Sequence, residues 1–329
     1  MPEKVTIATV ARRARVSRQT VSNVLNAPHI VREETRLRVQ EAIAALGYRA
    51  NQAARQMRTG RSRLIAVRIE PTRDGINGSV LDRFLHGLTE TAEAAGYRVM
   101  LYTAADTERE IATYDDLLGA YDLDAFVLTG TDHGDPRTAW LAQREVPFVT
   151  FGRPWDAPDV HPWVDVDGAA GTAEATAHLL AAGHRRIGFI GWPAGSGVGD
   201  DRRSGWRRTL VAAGVDPAGL AREAVDGIAE GERHARGLLA EAAPTALLCA
   251  SDSLALGALQ AVRADAPALA VIGFDDTPVA AAIGLTSVSQ PLGEAAARCV
   301  DLLTAVLDGP HPTTDQVLLR PTLVRRHTA

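Results

Sequence analysis

The sequence predicts a chain of two unlike parts: an all-α helix-turn-helix head joined to an α/β body of two successive doubly wound parallel-sheet subdomains. Three observations predict it. Up to Leu46 the apolar residues recur at i, i+3, i+4 and i+7, the period of helices with one buried face. From Leu64 onward short apolar runs alternate with amphipathic stretches, the rhythm of parallel strands covered by helices. The charge also changes sign between the parts. Through Arg63 there are thirteen Lys or Arg against four Glu, a net +9, whereas the whole 329-residue chain carries −5, which leaves −14 for the rest. A basic head on an acidic body suits a phosphate polyanion and not a membrane surface.

Within the head, Thr6 caps the first helix, whose buried face is Ile7, Val10, Ala11 and Ala14. Only Arg15 and Val16 separate it from Ser17, a second N-cap, after which Val21, Val24 and Leu25 turn inward. Opposite them Gln19, Ser22, Asn23 and Asn26 form a polar stripe, with Arg18 and Thr20 beside it. Amides and hydroxyls next to an arginine are the donors and acceptors that read base edges in a major groove, whereas a merely solvated face carries mostly Glu and Lys. Two short helices joined so tightly make a helix-turn-helix. A third helix is expected from Glu33 to Leu46, with Val39, Ala42, Ile43 and Leu46 inward and Gly47 as its stop. The competing reading, a generic helical cap, leaves the polar stripe and the positive charge without a purpose.

Residues 49–63 are polar and basic, with too few apolar side chains to hold an isolated helix, so they read as a linker between a DNA-binding domain 1–48 and a body 64–329. The body offers strands at Leu64–Ile69, Arg98–Tyr102, Ala125–Leu128 and Pro147–Phe151. A second set follows at Ile187–Gly191, Ala246–Ala250, Leu269–Gly273 and Thr286–Ser289. The expected division is an amino-terminal subdomain of about 64–163 plus 291–322 and a carboxy-terminal subdomain of about 164–290 plus 323–329.

Several function classes are disfavoured. Cys249 and Cys299 stand far apart in apolar surroundings, as buried thiols of a reducing compartment. Met1-Pro2-Glu3-Lys4 leads straight into the first helix without a signal peptide, and no apolar run approaches a membrane span, so a cytoplasmic protein is expected. Nine histidines show no metal-ligand spacing, and no nucleophile–base arrangement stands out; neither metal nor cofactor nor catalysis is expected. Gly195-Ser196-Gly197-Val198-Gly199 lacks the Lys-Ser/Thr of a phosphate loop and reads as a mobile strand-to-helix loop.

The run Val16-Ser17-Arg18-Gln19-Thr20-Val21-Ser22-Asn23-Val24-Leu25-Asn26, with Thr6-Ile7, Val10-Ala11, Thr35-Arg36, Ala42-Ile43, Leu46-Gly47-Tyr48, Asn51 and Ala53-Ala54, resembles the lactose-repressor (LacI/GalR) family of bacterial transcription regulators. Three departures stand out: Arg15 in place of the turn glycine, Thr9 in place of a common acid, and Arg32 in place of a small N-cap. The resemblance implies that Thr6, Ser17, Arg18, Gln19, Thr20, Ser22, Asn23 and Asn26 meet an operator. It also implies that the linker becomes a hinge helix on DNA, with Asn51 and Arg55 at the duplex, Ala54 at the contact between paired hinges and Met57 as the wedge in the minor groove, where leucine is usual. Asn23 stands where arginine is common, so the operator should differ from that of the lactose system.

For the body the resemblance implies a two-lobed, periplasmic-binding-protein-like fold with a cleft at the carboxyl ends of its strands. Those ends present Arg153, Trp192, Ser251, Asp252, Asp275 and Gln290, while Arg202 lies four residues before Trp206 at a helix start. A sugar needs acceptors and planar donors for its hydroxyls and an aromatic face for its C–H surface. Arg202 and Asp275 match the family's main effector contacts, and Ser251 takes the place of a contact that is often asparagine. A loop from Glu70 to Gly78, carrying Arg73 and Asp74, together with Trp155, Trp163 and Trp192, suggests an oligosaccharide or glucoside; core packing is the alternative for each tryptophan.

The expected function is therefore a sequence-specific transcriptional regulator, a repressor in sense, that binds a palindromic operator as a homodimer under control of a sugar. The last residues, Leu323 to Ala329, carry no heptad tail that would argue for a tetramer. The alternative is a sugar-binding protein of a transport system, which would share the body but gives no reason for the basic head.

Overall fold

The computed structural model describes residues 5–48, 60–70, 76, 78–156, 160–265, 269–309 and 315–329. The expected sites Asn51, Ala54, Arg55, Met57, Arg73 and Asp74 lie outside the described residues. Contacts divide the chain into two compact units, residues 1–62 and 63–329.

In the first unit, α1 (Ile7–Ala14), α2 (Arg18–Asn26) and α3 (Glu33–Leu46) follow one another, with a 3₁₀ turn at Pro28–Ile30 before α3. Their apolar stripes meet in a core of Val10, Ala11, Ala14, Val21, Val24, Val39 and Ala42. Leu25 departs from expectation: it remains 37% exposed, while Val21 is fully buried. Leu25 stands at one edge of the apolar stripe, and the core of the head takes only Val21 and Val24 from α2.

The departures at Thr9 and Arg15 have local solutions. Thr6 and Thr9 form a reciprocal capping box, so a hydroxyl does what an acid would do at that position. Arg15 takes the left-handed conformation (φ 53°, ψ 48°) that ends α1, and its N–H reaches the carbonyls of Ala11 and Arg12. Glycine adopts that conformation without a Cβ penalty; arginine does not. Arg32 precedes α3 without a side-chain cap, and Glu33 and Glu34 supply negative charge in the first turn.

The second unit holds two six-stranded sheets. Strands β1 (Leu64–Ile69), β2 (Arg98–Thr103), β3 (Ala125–Thr129), β4 (Phe148–Phe151), β5 (Trp163–Val166) and β11 (Gln316–Leu319) form one, ordered β11-β5-β4-β3-β1-β2. Strands β6 (Ile187–Gly191), β7 (Ala221–Glu223), β8 (Ala246–Cys249), β9 (Ala270–Asp275), β10 (Thr286–Ser289) and β12 (Thr322–Val324) form the other, ordered β12-β10-β9-β8-β6-β7. All described pairings are parallel except β10 with β12. Connections within the first sheet use α4 (Gly78–Ala94), α5 (Thr107–Tyr121) and α6 (Pro136–Gln143). The second lobe carries α7 (Gly168–Ala181), α8 (Gly197–Ala212), α9 (Ile228–Ala242), α10 (Asp252–Asp265) and the short α11 (Pro278–Ile283), and α12 (Leu292–Asp308) returns to pack on α4, β4 and β5.

The expected subdomain boundaries need correction at two of the three crossings. β5 belongs to the first sheet, so the chain leaves that lobe after Val166 and not at 163. Thr322 pairs with Ser289 in the second sheet, so the last crossing falls before it. The strands overlooked in the sequence, β5, β7, β11 and β12, are short, and β5 and β7 contain charged residues, which hides their alternation. Gly197 and Gly199 are likewise in the first turn of α8, capped by Ser196, and not in a loop.

Both faces of the first sheet are covered. On one, Ile65, Val67, Phe84, Leu88 and Cys299 join a core in which Phe84 stacks on Phe151 at 4.4 Å. On the other, Glu110 is fully buried. Its carboxylate accepts from Arg68 (2.7 Å), Arg137 (3.1 Å), Tyr102 (3.0 Å) and Tyr114 (2.9 Å). Two guanidiniums and two phenols meet the requirement that a buried charge be paired and hydrogen-bonded.

The strain at Arg15 is testable. Arg15→Gly should raise the stability of the head by about 1 kcal/mol by relieving the left-handed side chain. The measurement is the urea midpoint of a fragment spanning residues 1–62; an unchanged or lower midpoint would show that Arg15 makes a compensating contact.

Candidate functional site

The candidate nucleic-acid face of the head is built on α2. The hydroxyl of Ser17 accepts from the Thr20 amide at 3.0 Å and lies 2.9 Å from the Thr20 hydroxyl, which fixes the helix start. Arg18 and Gln19 are exposed, and Ser22 and Asn23 are half-buried. Gln19 Nε2 donates to Asn23 Oδ1 at 2.9 Å, one helical turn on. The two amides thus form one preorganised plate, with the Gln19 carbonyl oxygen and the Asn23 amino group left on its rim. That donor–acceptor pair is the complement of a base edge. Asn26 is used differently, since its Nδ2 folds back to the carbonyl of Ser22 (2.7 Å) and toward its hydroxyl (3.3 Å). Thr6, half a head away in sequence, is an exposed N-cap whose helix start presents its amides to an anion.

In the body the carboxyl ends of the second sheet converge. Arg202, on the second turn of α8, is 5% exposed. Its guanidinium lies 3.7 Å from the Phe274 ring centroid and 5.1 Å from that of Trp192, reaches the Ala250 carbonyl at 2.5 Å, and sits 3.5 Å from Asp275. Gln290 Nε2 donates to Asp275 Oδ1 at 2.7 Å. Arg202, Trp192, Asp275 and Gln290, expected from four separate stretches of sequence, therefore form one cluster. Two glycines make room for it. A Cβ on Gly205 would stand 2.1 Å from the Ala169 carbonyl, and one on Gly168 2.9 Å from Cγ of Arg202.

Ser251 and Asp252 behave otherwise than expected. The Ser251 hydroxyl donates to Asp226 and accepts from the Leu254 amide, so it orients a carboxylate and caps α10. Asp252 accepts from the amide and hydroxyl of Thr277 (2.7 and 2.8 Å) and from Ser287 (2.6 Å). Its oxygens are occupied by the chain's own donors. It braces the ends of β9 and β10 and is not a free ligand group, a correction that only the tertiary neighbours could supply.

On the amino-terminal lobe Arg153 follows β4. It bonds Asp165 at 2.6 Å within its lobe and Asp201 of α8 at 3.2 Å across the cleft, and it lies over Trp155 at 4.6 Å from the ring centroid. Arg153 thus ties the two lobes together. Trp163 is a core residue of β5, so packing accounts for it, whereas Trp155 and Trp192 stand at the cleft. Sequence reasoning missed Asp226, Asp165 and Phe274 as members of the site, and also Arg83, which donates from α4 to the Asp275 and Asp276 carbonyls at 3.4 and 3.2 Å. The signal for Asp226 was its place just after β7, a strand too short to notice. Among the described residues no cluster of His, Cys, Asp or Glu could hold a metal ion.

Burial pushes the carboxyls of Asp275 and Asp252 above the ordinary carboxylate range; Arg202 and Gln290 pull Asp275 down again, while Asp252 and Asp226 add to the rise. A raised pKa means that the folded state holds a proton the unfolded chain has released. Stability from this source falls as pH climbs from the ordinary carboxylate value toward the elevated folded one. Asp275→Asn should remove part of that slope, so its urea midpoint relative to the native chain should improve steadily with rising pH. Parallel midpoints across the range would rule out an elevated Asp275.

Known proteins share this two-part architecture. Residues 6–51 match the model of bacterial regulatory proteins of the lacI family, and residues 176–329 match a periplasmic binding protein-like domain. The HTH-type transcriptional regulator AglR of Rhizobium meliloti (strain 1021) is 33% identical over 325 residues, covering 94% of this chain and 90% of the relative. Among solved structures, the lac repressor dimer bound to operator and the anti-inducer ONPF superposes with a TM-score of 0.83 at 27% identity, over 99% of both chains. A complex of the transcriptional regulator CelR with cellobiose gives 0.74 at 28% identity, over 99% of this chain and 100% of that one. With a three-helix head, a body of two parallel-sheet lobes and relatives of this identity along almost its whole length, the chain belongs to the LacI family of bacterial transcription regulators.

Proposed function

We propose that this regulator represses transcription by holding a palindromic operator as a homodimer, and that a sugar in the interlobe cleft modulates its grip. The observation that carries the reading is the coupled Gln19–Asn23 plate on α2 in the same chain as the buried Arg202–Asp275–Gln290 cluster. Arg18, Gln19 and Asn23 are the proposed base contacts; Ser17, Thr20, Ser22 and Thr6 contribute phosphate or positioning contacts. Asn51, Ala54, Arg55 and Met57 are the proposed hinge contacts in the central minor groove, where an apolar wedge favours an easily unstacked pyrimidine–purine step. The reading places the protein's work in the cytoplasm, where operator DNA lies; no helix among the described residues is long and apolar enough to cross a membrane.

For the effector, Arg202 supplies planar donors, Asp275 and Gln290 an acceptor and an amide, and Trp192 an aromatic face. Arg73 and Asp74 of the first loop extend the proposed site. Support for an oligosaccharide or glucoside comes from that loop, from the tryptophans at the cleft and from the cellobiose bound by the related CelR. Effector and operator are linked through the two-lobed body by a coupling of about 1–3 kcal/mol, reciprocal between the two ligands.

Gel-shift titration on a palindromic operator selected from random sequence tests the DNA half. Gln19→Ala should weaken binding by about 1–3 kcal/mol and relax preference at one position of each half-site. Loss of affinity with preference intact would sink the proposed docking. For the cleft, a panel of mono- and disaccharides should contain one that raises the melting temperature by mass action, and Arg202→Ala should abolish that rise. A rise that survives in Arg202→Ala would move the effector site elsewhere.

A further inference from the structure

Gly197 opens α8 and is buried, although its backbone is not in the left-handed region that favours glycine. What excludes a side chain there is the other lobe: a Cβ would stand 2.3 Å from both Cε2 and Nε1 of Trp155. The indole therefore lies directly on the first turn of α8. Its own position is set twice over, by the Nε1–H donating to the Thr131 carbonyl at 3.2 Å and by the Arg153 guanidinium over the ring. Asp132, next to Thr131, accepts from the Gly197 amide at 3.4 Å, and Arg153 reaches Asp201 farther along the same helix at 3.2 Å. Three residues of the amino-terminal lobe thus converge on two turns of one helix of the other lobe.

We propose that Trp155 is a positioning residue that seats the start of α8 against the amino-terminal lobe and thereby fixes where Arg202 stands in the cleft. Arg202 is five residues beyond Gly197, about 7.5 Å along a rigid helix, so displacing the first turn displaces the guanidinium with it. The flat face of an indole on a glycine backbone is a close contact that holds only while the lobes are together, since dispersion is lost within an ångström of separation. Lobe closure and the pose of Arg202 become one variable. This inference rests on the reading of Arg202 as an effector contact, but the seat itself can be tested without an effector.

The test is hydrogen exchange, followed by mass spectrometry, on the full-length protein and three variants. Trp155→Ala should speed exchange of the amides from Gly197 to Asp200 by about tenfold or more, because their opening no longer breaks a packed interface. Trp155→Phe should restore most of the protection, since it keeps a ring on the glycine and loses only the indole N–H. Gly197→Ala, which pushes the ring off from the opposite side, should reproduce the effect of Trp155→Ala. Protection in α10, which packs on α9, β8 and β9, should stay as in the native chain. Unchanged exchange at Gly197–Asp200 in both alanine variants would overturn the proposal, and so would a uniform acceleration through α10. If exchange responds as expected while cellobiose and other disaccharides never alter protection of α8, the seat stands and the effector assignment of Arg202 falls.

Discussion

The Arg202 guanidinium, taken almost wholly out of water, is the constraint around which the carboxy-terminal lobe is arranged. A charge so placed must be repaid by neighbours, and the fold provides a carboxylate, a backbone carbonyl and two aromatic faces. Those neighbours come from the ends of β6, β8 and β9, and Gln290 after β10 steadies the carboxylate in turn. Close approach of α7 and α8 at Gly168 and Gly205 is what lets the arginine reach that depth. A cluster of buried ionic groups contributes little net stability, yet it leaves a site whose members lose much when one partner is withdrawn. Such a site responds strongly to a ligand that supplies or replaces a partner.

A second polar assembly, around Glu110, does a different task in the other lobe. Every strong donor around its carboxylate belongs to the chain, drawn from β1, β2, α5 and α6. It locks the packing of those elements on the sheet without leaving an opening for a ligand. The contrast between the two assemblies separates a structural charge from a responsive one: at Glu110 the pairing is complete within one lobe, while around Arg153 and Arg202 the partners are shared with the facing lobe or with the cleft.

The head reaches a family architecture with unusual parts. A threonine, Thr9, replaces the usual acid in the first capping box, and an arginine bears the left-handed turn that glycine would occupy. Each substitution keeps the hydrogen bond that the backbone needs, and the cost of the second is carried as strain at a basic residue near the recognition helix. The three-helix core tolerates it because Val10, Val21 and Val39 close the interior independently of the turn.

Sequence by itself determined what depends on neighbours a few residues apart. Helix caps at Thr6 and Ser17, the polar stripe of α2, the stop at Gly47 and the eight strands marked by apolar runs all follow from local spacing, and so does the place of Arg202, Asp275 and Gln290 at helix start or strand ends. Only the tertiary structure decided where β5 and Thr322 belong, that Asp252 is consumed by Thr277 and Ser287, and that Trp155 lies on Gly197. The physical reason is the same in each case. A side chain's fate as ligand, brace or packing surface is set by groups that meet it across tens of residues of chain, and no periodicity along the sequence records which donor will reach a given carboxylate first.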